Sequence, residues 1–229
     1  VTIGVLQETT ATGQSGASMS KAFVSNVTLG SSIHVWLRAL TATSFTSVTD
    51  TLGNTYTQRG ATQNDGSSHI FAQFTCDNSP AGANTVTANM SPNGSSANIT
   101  IREIGGTSGY DVQASQLQVG LSNSTTTDSI TSGNATPSVF PGMVSALAQT
   151  VTGPSNLPVA GSGYTSDGQP WGTNSVTEHL RYTSLAARAA TWTGSNTGGT
   201  TFTCMAAFFK EIGAGVGGPQ QGMLTGVGS

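Results

Sequence analysis

The side chains able to carry chemistry are few and scattered. His34, His69 and His179 stand far apart, and none belongs to an HxxxH or HExxH pair or to a metal-spaced Cys/His set. Glu178-His179 lies in an alternating run, where neighbours point to opposite faces of a strand, so it reads as a surface pair rather than an acid–base couple. Asp50, Asp65, Asp77, Asp111 and Asp167 each fall in or near turn signals, where Asp commonly caps its own backbone. A calcium site built from two such loops is the alternative, although no EF-type loop is present. No carboxylate spacing suggests glycoside hydrolysis, and sequence alone leaves a long-range pair open. Gly105-Gly-Thr-Ser-Gly109 lacks the Lys-Ser/Thr ending and the following helix of a phosphate loop, and reads as a turn. The expectation is therefore a chain that is not an enzyme, with no catalytic, cofactor-binding or metal residues and no cofactor.

Two further groups bear on binding. Trp36, Trp171, Trp192, Tyr56, Tyr110, Tyr164 and Tyr182 could offer flat apolar faces to sugar rings, with Trp171 and Tyr164 the candidate glycan contacts. Core and edge packing is the preferred reading. Cys76 and Cys204 both sit in strand-like runs and are expected as buried free thiols; a disulfide would require their strands to be close neighbours.

The elements that must position these residues read as strands throughout. Ile3 to Leu6 is a short first strand, followed by a Gly/Ser-rich link from Thr10 to Ser20. Ser32 to Leu40 alternates Ile33, Val35, Leu37 and Ala39 against His34, Trp36, Arg38 and Leu40, so both faces are partly apolar, as in a sandwich strand near a subunit contact. Ser47 to Thr57 reads as a hairpin around Gly53-Asn54, with Val48, Leu52 and Tyr56 as its apolar positions. Strand-like runs follow at Ile70 to Cys76, Asn84 to Met90 and Asn98 to Ile104, with turns at Ser79 to Gly82 and Ser91 to Gly94. The second half repeats that texture without repeating the sequence, through Met143 to Ala148, Ser175 to Tyr182, Arg188 to Trp192 and Thr201 to Phe209. Turn signals every 8 to 12 residues or so point to an all-β, antiparallel, jelly-roll-like sandwich. One such domain over 1–212 is expected, with an extended Gly-rich arm over 213–229 that would reach about 50 Å if extended.

Composition narrows the partners. Only 7% of residues are charged, against 30 glycines and a formal net charge of −3, with Lys plus Arg at 7. That leaves no electrostatic footprint for nucleic acid or an anionic membrane. No apolar run reaches the roughly 18 to 20 residues of a membrane-spanning helix. Val1 to Glu8 lacks a basic region and an apolar h-region, which fits synthesis in a cytoplasm; a signal peptide already removed would leave the same trace.

Several stretches together carry a family likeness: Val48-Thr-Asp-Thr-Leu-Gly-Asn-Thr-Tyr-Thr57, Ile70-Phe-Ala-Gln-Phe74, Asn84-Thr-Val-Thr87, Ile101-Arg-Glu-Ile-Gly105, Ala160-Gly-Ser-Gly-Tyr164 and Met205-Ala-Ala-Phe-Phe-Lys210. Over Ile3 to Ile212 the chain resembles the jelly-roll-type β-sandwich modules of tailed-phage virion proteins, which also occur in bacterial surface proteins. The resemblance implies a structural role, with no catalytic residues to carry over. The expected function is a capsid decoration protein at the virion surface, bound to the major capsid protein and to copies of itself as a homotrimer. Ile33, Val35, Trp36, Leu37, Val216, Met223, Leu224 and Val227 are the candidate interface. A host-recognition or carbohydrate-binding module on a tail or head fibre is the alternative.

Overall fold

The computed structural model describes residues 1–65, 68–150, 158–172 and 175–215, with the backbone alone at 116–128 and 194–200. The architecture is all-β and antiparallel, as the period-two patterning predicts. The first half contains β1 (Gly4–Ala22), β2 (Ser31–Leu40), β3 (Ser44–Asp50), β4 (Thr57–Gln58), β5 (Gln63–Asn64), β6 (His69–Ser79) and β7 (Thr85–Gly105). The second contains β8 (Thr107–Thr131), β9 (Phe140–Thr150), β10 (Val159–Ala160), β11 (Thr165–Gly168), β12 (Ser175–Tyr182) and β13 (Thr191–Gly215).

Each half forms its own sheet, and the two are wired alike. The first runs β1-β7-β2-β6-β4 with β3 also on β7, and the second runs β8-β13-β9-β12-β11 with β10 also on β13. In both, the first long strand pairs with the last, and the remaining strands follow in the same order. The described strands thus form two facing sheets of closely similar topology, joined at Gly106, with β5 on β6 the one strand of the first sheet that has no counterpart in the second.

Several sequence boundaries dissolve into long, bent strands. The link at Thr10 to Ser20 lies within β1, whose pairing with β7 shifts register between Ala11 and Gln14, Gln14 and Gly16, and Gly16 and Ser18. Asn84 to Met90 and Asn98 to Ile104 are one strand, because Ser91 to Gly94 form a bulge opposite Gly16 to Ser18 rather than a reversal. Bulges bend a strand without ending it, and Gly, Pro and Asn are the residues that both bulges and turns require. Trp192 and Thr201 to Phe209 likewise share β13. The Ser47 to Thr57 stretch turns compactly but is not a hairpin: β3 pairs with β7, whereas β4 pairs with β6.

Burial occurs in three layers. Ile33, Val35, Leu37, Val86, Met90, Ile99 and Ile101 belong to one cluster, in which residues from both sides of the β7 bulge meet β2. Val144, Ala146, Trp192, Phe202, Cys204 and Phe208 form the corresponding cluster of the second sheet. Between the sheets lie Ile104, Met143 and Phe209, and beside them Trp36, Phe71, Leu147, Trp171 and Met205. This corrects the proposed interface on β2. Ile33, Val35, Trp36 and Leu37 are all 0% exposed, and the strand is apolar on both faces because it is buried twice within its own chain. Cys76 and Cys204 are free and buried, in the clusters of different sheets.

The joint between the halves tolerates no side chain. Gly106 has φ +66°, and a Cβ there would lie 2.5 Å from the Thr2 carbonyl oxygen. Gly53, at φ +75°, has open space around it. Gly106→Ala is expected to cost more than the roughly 1–2 kcal/mol of left-handed strain that Gly53→Ala pays alone, as read from urea unfolding midpoints of the two variants.

Candidate functional site

The Asp50 turn is a polar knot rather than a reactive site. Asp50 Oδ1 accepts from the backbone N–H of Leu52 at 3.1 Å and of Asn54 at 2.9 Å. Its Oδ2 accepts from Asn54 Nδ2 at 2.7 Å, Tyr56 Oη at 2.8 Å and Asn84 Nδ2 at 2.8 Å. Burial works to raise the pKa of this carboxyl, but the bonds from Asn54, Asn84 and Tyr56 outweigh it and leave it below its usual value. The other aspartates divide. Asp65 accepts from the backbone of Ser68 and His69, Asp77 from Ser32 and Tyr110, and Asp111 from Ser138. Asp167 is not a cap: it pairs with Arg102 and His179.

The densest group of chemistry-bearing side chains lies between the sheets. Register sets Glu8 and His34 on either side of Arg102 in one cross-strand row of the first sheet. The facing row of the second sheet brings His179 beside Ser145. Arg102 Nε donates to Glu8 Oε2 at 2.7 Å, and Nη1 donates to Ser145 Oγ at 3.0 Å and to the Glu178 carbonyl at 3.1 Å. Nη2 lies between two carboxylates, 2.5 Å from Glu8 Oε2 and 2.8 Å from Asp167 Oδ2. Thr177 donates to Glu8 Oε1 at 2.9 Å, and His179 Nδ1 is 2.7 Å from Asp167 Oδ1. The guanidinium also lies 4.9 Å from the Trp36 ring.

Within this group, His34 Nδ1 approaches Ser145 Oγ at 3.1 Å and its Nε2 approaches Gln73 Oε1 at 3.0 Å. A hydroxyl beside an imidazole is the start of a nucleophilic site. Here, however, Ser145 and His34 are both 0% exposed. Burial first, then the Arg102 charge, pushes the His34 pKa down to about 3, so the ring is neutral across the physiological range. The two carboxylates converge, but on Arg102. Polar groups sealed in this way tie one sheet to the other: Gln73 of β6 also donates to the Ala206 carbonyl of β13 at 3.3 Å. Among the described residues, no group of three or more His, Cys, Asp or Glu is placed to hold a metal ion.

Two sequence readings are overturned. Glu178-His179 is not a surface pair, because Glu178 is 0% exposed. Its Oε2 accepts from the Gly161 N–H at 3.2 Å, and burial, with the Asp167 charge adding to it, pushes its pKa up to about 8. The alternation was read correctly, since Glu178 faces the outer cluster while His179 faces Asp167. Trp171, a candidate glycan contact, is 7% exposed and packs 6.3 Å from the Phe71 ring. Tyr164, its proposed companion, is part-buried and donates to the Ala189 carbonyl at 2.8 Å. Trp171 is thus packed inside the fold, while Tyr164 is partly buried against the apolar cluster of the second sheet. Of the proposed interface residues, Val216, Met223, Leu224 and Val227 lie outside the described residues.

The surface that sequence reading missed is an apolar pole. A cavity of about 370 Å³ opens there, lined by Val1, Leu6, Leu29 and Ile212, by Gly30, Gly105 and Gly106, and by Thr2, Thr28 and Ser31. Its lining includes no charged side chain. Leu6, Leu29 and Ile212 are 53%, 74% and 58% exposed, although large aliphatic side chains usually find cover. Buried Glu103 fixes this shape: its Oε1 accepts from Thr28 N at 2.7 Å and Ser31 Oγ at 2.8 Å, pinning the turn that carries Leu29. Gly106 accepts from the Ile212 N–H at 2.9 Å and so ties in the end of β13. The available signal was an apolar residue directly before a turn glycine, in Leu29-Gly30 and Ile212-Gly213, where polar residues are the rule.

The Glu178 environment sets a pH dependence. The unfolded chain loses this proton near 4.5, whereas the fold keeps it until about 8. Its contribution to stability is thus fully present below 4.5 and is lost as pH rises through about 8. Glu178→Gln, which can still accept from Gly161, is expected to flatten this decline of up to about 1.4 kcal/mol per pH unit, measured by urea unfolding at several pH values from mildly acidic to alkaline.

A scan against models of known families and searches of curated proteins and of solved structures found no match.

Proposed function

We propose that this chain is a structural virion protein, a capsid decoration protein that docks on the major capsid shell through its apolar pole. The observation that carries the docking mode is the uncharged rim of Leu6, Leu29 and Ile212 around an apolar cavity. Burying such side chains against a partner is worth about 1.5–3 kcal/mol each. With 7% charged residues in the chain, attachment would depend on close apolar fit more than on long-range attraction. The buried placement of Ser145, His34 and the Arg102 carboxylate pairs supports a structural role over turnover. The virion setting comes from the resemblance of the motifs at Val48 to Thr57, Ile101 to Gly105 and Ala160 to Tyr164. The burial of Trp171 weighs against the glycan-binding alternative.

Co-sedimentation with intact phage heads tests the reading. The protein is expected to pellet with DNA-filled heads in many copies per head. Leu29→Asp is expected to weaken that association at least about tenfold, the equivalent of losing one buried leucine. Absence from heads, or attachment unchanged in a Leu29→Asp, Ile212→Asp double variant, would overturn it.

A further inference from the structure

Val159 to Tyr164, which comprises β10 and the turn after it, covers part of the outer cluster of the second sheet, against which Tyr164 packs. It is held there lightly. β10 pairs with β13 only at Val159 and Ala160, the Gly161 N–H donates to Glu178 Oε2 at 3.2 Å, and Tyr164 Oη donates to the Ala189 carbonyl at 2.8 Å. The chain that follows is anchored more firmly, since β11 pairs with β12 and its Asp167 binds Arg102 and His179. We infer that Val159 to Tyr164 is a pH-gated strap, hinged at β11, which lifts from the second sheet when Glu178 ionises and uncovers the cluster around Trp192, Phe202 and Cys204.

The surroundings of Glu178 leave its charge unanswered. The side chain is 0% exposed, and the groups that bear on it supply no direct counter-charge. Asp167 on β11 is itself a carboxylate and works against ionisation. Arg102 on β7 donates to the Glu178 backbone carbonyl at 3.1 Å and gives its charge to Glu8 and Asp167. Cys204 on β13 and Tyr164 on the strap are kept neutral by burial, and the residue opposite on β9 is Ala146. The closed strap lies flush on the sheet: a Cβ on Gly161 would run into the Thr191 carbonyl. A carboxylate sealed in this way needs water. Parting the strap admits it for the loss of a few bonds, whereas β12 itself is paired with β9 from Ser175 to Tyr182. Covered, the carboxyl keeps its proton until about 8, and uncovered it titrates near 4.5. The open fraction therefore rises about tenfold per pH unit between those values and levels off outside them. None of the strap residues lines the apolar pole, so the inference stands or falls separately from the capsid reading.

Hydrogen exchange of the full-length protein, read by mass spectrometry from mildly acidic to alkaline pH and corrected for the intrinsic rate at each pH, tests it. Peptides covering Val159 to Tyr164 are expected to lose protection by about tenfold per pH unit until about pH 8. Peptides covering Ile99 to Ile104 in β7 are expected to stay better protected at every pH. Glu178→Gln, which keeps an acceptor for Gly161, is expected to remove the slope from the strap. Tyr164→Phe, which loses only the bond to Ala189, is expected to raise strap exchange at every pH and to keep the parent's slope. Three results would overturn the inference. One is strap protection in the parent that does not change with pH, and another is a slope that Glu178→Gln leaves intact. The third is equal protection of the strap and of Ile99 to Ile104, because Glu178 would then reach water only when the whole chain unfolds.

Discussion

Arg102 is a guanidinium sealed from water at the centre of the molecule, and the way its charge is answered governs how the two sheets meet. Its partners come from both halves: Glu8 lies on β1, Ser145 on β9 and Asp167 on β11. A cation in that position is costly unless each donor finds an acceptor. The fork geometry of arginine reaches several acceptors at once. The same requirement fixes relative register, because a slip of either sheet would turn Glu8 or Ser145 to the wrong face. The apolar residues on either side, from Ile104, Met143 and Phe209 to Trp36, Leu147 and Trp171, supply area. The ion network supplies the address.

A division of labour follows from this. Asp50 knots the turn after β3, Glu103 pins the turn before β2, Arg102 joins the sheets, and Gly161 caps the Glu178 carboxyl. Side chains that look reactive in a linear reading are thus engaged in holding a chain of low charge and high Ser, Thr and Gly content in one arrangement. Exposed apolar side chains gather at one pole, where Leu6, Leu29 and Ile212 line a cavity. The binding reading rests on that contrast.

The all-β class was legible because the alternation in Ser32 to Leu40 and Ser175 to Tyr182 is a local property of strands, as is the short apolar run of Thr201 to Phe209. Strand ends were less legible at Thr10 to Ser20 and Ser91 to Gly94, since a bulge and a turn draw on the same residues. The similar wiring of the two halves left no trace in the sequence, because period-two patterning can be met by many different side chains. Nor did spacing reveal the Arg102 network, whose members lie as far apart as Glu8 and Thr177. The error at Ile33 to Leu37 has a specific cause: a strand with two apolar faces looks the same whether the second is covered by a partner or by its own chain.

The measurement that bears most directly on the central claim is a double-mutant cycle on Arg102 and Asp167, read by urea unfolding. Arg102→Met is expected to cost about 3–5 kcal/mol, because Glu8 and Asp167 then lose their counter-charge in a half-buried setting. Asp167→Asn in the same background is expected to recover part of that loss, giving a coupling energy above about 1 kcal/mol. An Arg102→Met protein as stable as the parent, with no coupling to Asp167, would contradict the account: the sheets would then be held by their apolar contacts alone.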